Sequence, residues 1–175
     1  MSYIRDLRRL VGSRPLIMVG AAVLVLNEHG QLLLDQRTDN GCWGIPGGAL
    51  EPGGTLEAVA RCELFEETGL IAQDLTLLEV FSGPELDYRY PNGDEVHNVS
   101  AVYLTTRWSG TLRPQVGENN ALRFFDLEAL PENVVPPVRP VLARFLERSR
   151  EARPDLTVVG TEELSGPDLT HAVPT

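Results

Sequence analysis

Residues 48–70 read GALEPGGTLEAVARCELFEETGL, and this stretch constrains the fold more strongly than any other part of the chain. From Thr55 to Thr68 it contains no glycine or proline and is rich in Ala, Leu, Glu and Arg, which favour helices. Thr55 is placed to cap the helix N-terminus, and Gly69 to end the helix in the left-handed conformation. The sequence therefore predicts a helix over residues 55–68.

Three glutamates of this helix, Glu63, Glu66 and Glu67, are spaced i, i+3 and i+4, so they project from one face. Hard cations such as Mg²⁺ prefer oxygen ligands and join phosphate groups to a few carboxylates. The cluster is typical of a metal–phosphate site. It is also typical of a solvated helix face, because the repulsion costs only about 0.2–0.5 kcal/mol per pair.

The loop before the helix favours the first interpretation. It reads Trp43-Gly44-Ile45-Pro46-Gly47-Gly48. A glycine pair after a proline lets the backbone approach a ligand closely, and its carbonyl oxygens are suitable metal ligands. A merely solvated acidic helix would leave this loop unexplained.

The loop and the helix together resemble the Nudix box, G-x5-E-x7-R-E-U-x-E-E-x-G-U, where U is a bulky aliphatic residue. The flanks resemble the family over roughly residues 16–148. The resemblance implies an α/β fold, a Nudix-type α/β/α sandwich with a central mixed β-sheet, and hydrolysis that uses Mg²⁺ or Mn²⁺. Seven of the nine fixed positions match: Gly48, Glu63, Leu64, Glu66, Glu67, Gly69 and Leu70.

The resemblance also implies roles for individual residues. Metal ligation is expected from the carboxylates of Glu63, Glu66 and Glu67 and from the Gly48 carbonyl. Glu63 is either a ligand or the base that activates water, and Glu66 also belongs to the catalytic group. Glu118, in the loop before a late strand, is a second candidate base, although a solvated loop charge explains it more simply.

Two further residues are expected to contact substrate. Arg37 is suited to a phosphate through charge-assisted hydrogen bonds, with an exposed strand-end arginine as the alternative. Tyr88 is suited to stack on a base, with ordinary packing as the alternative, and the same holds for Tyr90 and Tyr103.

Two positions depart from the box: Gly54 stands where the family has Glu, and Cys62 where it has Arg. In the family this Glu and this Arg commonly form an ion pair. Because both are absent here, neither charge is left without its partner. Arg61 lies about 100° away around the helix and is a poor replacement. Cys62 is expected to be a small packed side chain.

The rest of the chain predicts three parts: an N-terminal helical extension (1–15), the catalytic domain (16–150) and a polar C-terminal tail (151–175). Residues 3–11 have helical spacing of apolar residues, and 19–26 with 32–34 read as a hairpin. Strands are predicted at 75–82, 96–105 and 121–125, and a last helix from Pro137.

Composition limits the functional classes. A net charge of −10 argues against a general nucleic-acid binder, and the longest apolar run, 18–26, is too short to cross a membrane. Two cysteines without a paired spacing favour the reducing cytoplasm. The expected partner is a small-molecule nucleotide, with no nucleic acid and no membrane, and a homodimer is left open.

Substrate markers conflict. Tyr88 lies 18 residues beyond Leu70, as in the dinucleoside polyphosphate group, whereas Pro84 lies near the offset of ADP-ribose hydrolases. The sequence favours hydrolysis of a phosphoanhydride in ADP-ribose or another nucleotide sugar. The alternatives are a dinucleoside polyphosphate hydrolase and a non-hydrolytic nucleotide-sensing module.

Overall fold

A computed structural model describes residues 3–151 and shows a mixed α/β architecture. Two short 3₁₀ helices, Pro84–Leu86 and Pro136–Val138, complement the regular elements. The α-helices and β-strands, in chain order, are α1 Tyr3–Val11, β1 Leu16–Val25, β2 Leu32–Arg37, β3 Trp43–Gly44, β4 Gly47–Ala49, α2 Leu56–Thr68, β5 Leu70–Ala72, β6 Thr76–Phe81, β7 Asp87–Arg89, β8 Glu95–Thr105, β9 Trp108–Gly110, β10 Asn119–Phe125 and α3 Arg139–Glu151.

The main sheet is mixed, as predicted. β1 and β8 run parallel over their whole length, from Leu16 opposite Val96 to Val25 opposite Thr105. β4 pairs antiparallel with the other edge of β1, and β6 and β7 pair antiparallel with β8. A second antiparallel sheet has the order β10-β2-β3, and β5 pairs with β9. The predicted α/β class with a central mixed sheet is confirmed.

Both faces of β1 are buried over residues 23–25, at the end of its apolar run, whereas Ile17 and Val19 nearer its start are exposed. Successive side chains of a strand point to opposite faces. Val23 and Val25 join the core cluster that contains Ala60 and Leu64 of α2. Leu24, between them, joins the cluster that contains residues of α3. The two helices therefore lie on opposite faces, which gives the α/β/α sandwich.

The predicted hairpin between β1 and β2 is only partly correct. The turn exists, because Asn27 N–H donates to the Gln31 carbonyl at 3.1 Å. Only one bridge, Leu26 opposite Leu32, then joins the two strands. β1 already has β4 on one edge and β8 on the other, so β2 pairs with β10 and β3 instead.

The helix ends follow the sequence signals. The Thr55 hydroxyl oxygen accepts a hydrogen bond from Ala58 N–H, and Gly69 ends α2 with φ 76°. The helix at 3–11 and the strands at 76–81, 95–105 and 119–125 are present, while α3 begins at Arg139, two residues after the predicted start.

The boundaries of the three predicted parts stay predictions. Apart from Glu151, the predicted tail lies outside the described residues. Between Tyr3 and Glu151, none of the helices has both the length and the apolar character of a membrane-spanning segment.

Candidate active site

Helix α2 presents the three predicted glutamates on one side of the molecule. Leu64 and Thr68 on the same helix are fully buried. This buried stripe fixes the rotation of α2 against β1, so Glu63 and Glu67 are partly buried while Glu66 is exposed. The core packing of α2 thus aims the acidic face at the glycine-rich loop.

The glycine pair lies directly against these carboxylates. Gly47 N–H donates to Glu67 Oε2 at 3.0 Å. A Cβ at Gly48 would overlap Oε1 of Glu63, so a side chain there would displace that glutamate. The Gly48 carbonyl oxygen lies against Gly20 of β1. A Cβ at Gly47 would likewise lie 2.6 Å from the Ala21 carbonyl oxygen, so neither Gly47 nor Gly48 has room for a side chain. Ligation by the Gly48 carbonyl stays a prediction.

A fourth carboxylate, Asp35, was missed by the sequence analysis. Asp35 is only 4% exposed and lies opposite Gly44, with its Oδ1 3.4 Å from where a Gly44 Cβ would stand. Strand alternation could have found it: Leu33, two residues earlier, packs in the α2-side core, so Asp35 points to that same side. An acidic residue near a strand end is ordinarily read as solvated, which hid this signal.

The carboxylates raise one another's pKa. The pKa of Glu67 is raised to about 9, mainly by burial and secondly by the negative charge of Asp35. The hydrogen bond from Gly47 N–H acts in the opposite direction and lowers this pKa. Burial raises the pKa of Asp35 to about 6 despite the charge of Arg37. Burial and the charges of Glu66 and Glu118 raise the pKa of Glu63. Without a counterion, the ionised forms of these carboxyls are therefore disfavoured.

Glu118 is brought to this site by the loop that precedes β10. Thr38 N–H donates to the Glu118 carbonyl at 2.9 Å, which ties the loop to the end of β2. The side chain is exposed, and its charge contributes to the raised pKa values of both Glu63 and Glu67. Its position is compatible with the predicted second base, and that role stays a prediction.

The donor set fits a hard divalent cation. All the candidate side-chain ligands are carboxylate oxygens, and a cation would offset the repulsion that raises their pKa values. Within residues 3–151, no three His, Cys, Asp or Glu side chains yet converge on one point.

The structure shows the surroundings of Cys62 and Gly54, the two positions that depart from the box. The expectation of a packed Cys62 is wrong: the side chain is exposed, and its thiol donates to Glu66 Oε1 at 3.1 Å. Burial on α2 falls instead on Ala60 and Leu64. A Cβ at Gly54 would lie 3.2 Å from the Glu51 carbonyl oxygen. Arg61 hydrogen-bonds Glu57, so it does not replace the missing arginine.

The predicted substrate residues Arg37 and Tyr88 both hydrogen-bond to the loop of residues 38–42. Arg37 forms two hydrogen bonds to Asp39 at 2.9 Å, which raise the pKa of the guanidinium. The Tyr88 hydroxyl accepts from Asn40 Nδ2 at 3.0 Å, and its ring meets Tyr90 edge-to-face at 4.9 Å. Tyr103 packs against the α2-side core instead.

A cavity of about 150 Å³ borders the same glycine pair on the α3 side of the sheet. Its walls include Met18, Ile45, Leu86, Val138 and the polar residue Asn98. Asn98 Nδ2 donates to the Leu86 carbonyl at 2.7 Å.

Comparison with known proteins agrees with this geometry. A family model described as the NUDIX domain matches residues 16–145. The chain therefore belongs to the Nudix hydrolase family, and the resemblance predicted from the box is confirmed.

The names of individual relatives differ in the activity that they state. The chain is 47% identical over 121 residues to a MutT-like protein of Streptomyces ambofaciens, covering 65% of this chain and 79% of that one. It is 36% identical over 111 residues to an ADP-ribose pyrophosphatase of Methanocaldococcus jannaschii, covering 62% of each chain. A MutT Nudix hydrolase structure from Burkholderia pseudomallei is 30% identical with a TM-score of 0.62, covering 75% of this chain and 98% of that one.

Proposed function

We propose that the protein hydrolyses a phosphoanhydride bond of a nucleoside-diphosphate-linked substrate, with Mg²⁺ or Mn²⁺ as cofactor. One observation carries the proposal: Gly47 and Gly48 border the apolar cavity and also touch Glu67 and Glu63. A nucleoside in the cavity would place its diphosphate across the glycines and against the carboxylates. Since phosphates and carboxylates repel, this arrangement needs a cation between them.

In this proposal the reaction is an in-line displacement at phosphorus, and the glutamates of the site have different roles in it. Glu66 and Glu67 would hold the cation, together with Glu63 where Glu63 is not the base, and the bound cation would supply charge neutralisation at the phosphoryl oxygens. Glu63 or Glu118 accepts a proton from the attacking water. The water oxygen bonds to phosphorus while the bridging P–O bond breaks. The products are a nucleoside monophosphate and a phosphorylated partner.

The cavity supports a small-molecule substrate. Pockets that enclose whole drug-sized ligands measure about 300–1,000 Å³, so a cavity of about 150 Å³ suits only one ring system of the substrate. The related ADP-ribose pyrophosphatase favours ADP-ribose or a similar nucleotide sugar. The net charge of −10 supports free nucleotides over nucleic acid, and we expect a cytoplasmic enzyme.

The proposal is tested by chromatographic detection of the nucleoside monophosphate product from ADP-ribose, nucleotide sugars and dinucleoside polyphosphates, each with Mg²⁺, with Mn²⁺ and with chelator. We expect turnover of at least one nucleotide sugar that depends on the cation. Preferred turnover of dinucleoside polyphosphates would select the alternative substrate class. Nucleotide binding without any turnover would identify a sensing module, and full activity in chelator would exclude the metal role.

Tyr88 provides a prediction about substrate recognition. Aromatic stacking is worth about 0.5–1.5 kcal/mol beyond area burial, so Tyr88→Ala is expected to raise KM several-fold with little change in kcat. Tyr88→Phe keeps the ring and loses only the hydrogen bond from Asn40, so its KM should stay near the wild-type value. Steady-state kinetics on the best substrate measure both. A lower melting temperature with unchanged KM would assign Tyr88 to packing.

A further inference from the structure

Asp35 is a buried carboxylate that the proposed chemistry leaves unused. It is 4% exposed, and within residues 3–151 its Oδ1 has no hydrogen-bond partner. Arg37 is the cation that acts on it, but the Arg37 Nε and Nη2 donors are both engaged by Asp39. An unpaired buried polar group is unfavourable, and an ionised one more so. A residue of this kind suggests that its partner arrives with a ligand.

The position of Asp35 indicates which ligand that is. It belongs to β2 and lies opposite Gly44, with Oδ1 3.4 Å from where a Gly44 Cβ would stand. Three residues further on, the same loop holds Glu67 through the Gly47 N–H. The charge of Asp35 acts on Glu67 more strongly than that of any other side chain. Two carboxylates therefore face the same loop, Asp35 at Gly44 and Glu67 at Gly47.

We infer that Asp35 is a positioning residue for the divalent cation, its unpaired buried carboxylate at Gly44 strengthening the hold of Glu67 on the metal. This inference rests on the proposed function. A negative charge behind a ligating carboxylate attracts the cation and increases the basicity of the ligand. In the metal-free protein the two carboxylates repel each other. A bound cation relieves this repulsion, and the relief adds to the affinity for the metal.

The test measures binding of Mn²⁺ alone by titration calorimetry, together with thermal unfolding in chelator, for the wild type, Asp35→Asn and Asp35→Leu. Asn keeps the shape and removes the charge, and Leu fills the buried site with an apolar group. Loss of an outer carboxylate partner typically weakens metal binding about 10- to 100-fold. We expect that loss for both variants, with melting temperatures in chelator equal to or above the wild-type value.

Asp126→Asn is the matched control, since Asp126 is exposed and accepts a hydrogen bond from Gln31 on a different part of the surface. It removes the same charge and should keep wild-type affinity. Wild-type Mn²⁺ affinity in Asp35→Asn, or lower stability of both Asp35 variants in chelator, would overturn the positioning role and leave the proposed function intact. No Mn²⁺ binding by the wild type would overturn the proposed function itself.

Discussion

Glu67→Gln is expected to lower kcat by about 10²–10³-fold, the loss typical for removal of one preorganised electrostatic group at a reacting centre. Glutamine keeps the length and shape of the side chain and can still accept the hydrogen bond from Gly47 N–H. It removes the charge that holds the cation. The fold should persist, because the substitution also removes a partly buried carboxylate that is repelled by Asp35.

The matched control for this experiment is Glu57→Gln on the same helix. Glu57 lies in the first turn of α2, six residues before Glu63, and pairs with Arg61 in an exposed i, i+4 contact at 2.9 Å. Such contacts contribute about 0.3–0.5 kcal/mol, so this variant should keep full activity. Activity is measured with saturating Mg²⁺, and unfolding is followed by circular dichroism. Turnover of Glu67→Gln equal to that of Glu57→Gln would remove Glu67 from the metal site.

The helices were predicted well because the sequence signals that start and end a helix lie within a few residues of each other. The Thr55 cap and the Gly69 terminus define α2 with contacts that span three or four positions. The hairpin prediction was only partly correct for the opposite reason. Whether β2 pairs with β1 depends on β4 and β8 occupying both edges of β1, and β8 lies some seventy residues later in the chain.

The site shows the same division between local and long-range information. Helical spacing predicted that Glu63, Glu66 and Glu67 share a face, and the structure places them against the glycine pair. Asp35 was missed because its burial depends on packing between β2, β3 and α2. Cys62 was misread because spacing alone does not show which side of a helix is covered.

The second large effect concerns pH and the stability of the metal-free protein. Glu67 has a pKa of about 9 in the folded state and Asp35 one of about 6, against ordinary values of 4.5 and 3.8. A carboxyl whose pKa is raised by folding favours its protonated form, so the folded state binds more protons than the unfolded one. The contribution of these two groups to the free energy of unfolding is therefore largest at acid pH and falls as pH rises from about 4.5 to about 9.

Each pKa unit corresponds to about 1.4 kcal/mol, so the loss across this window is on the order of several kcal/mol. Asp39 acts in the opposite direction, because its hydrogen bond from Arg37 lowers its pKa. That contribution lies below pH 4 and does not affect measurements above pH 6. A divalent cation displaces the protons, so its stabilising effect should grow with pH.

The measurement is thermal unfolding from pH 6 to pH 9, in chelator and in millimolar Mg²⁺, for the wild type and Glu67→Gln. In chelator the wild-type melting temperature should fall steadily with pH, while Glu67→Gln shows a shallower slope because its amide does not titrate. With Mg²⁺ the wild-type slope should flatten, and Glu67→Gln should respond little. An equal slope for both proteins in chelator would show that the raised pKa belongs to a different group. Equal Mg²⁺ responses would show that the cation binds without Glu67.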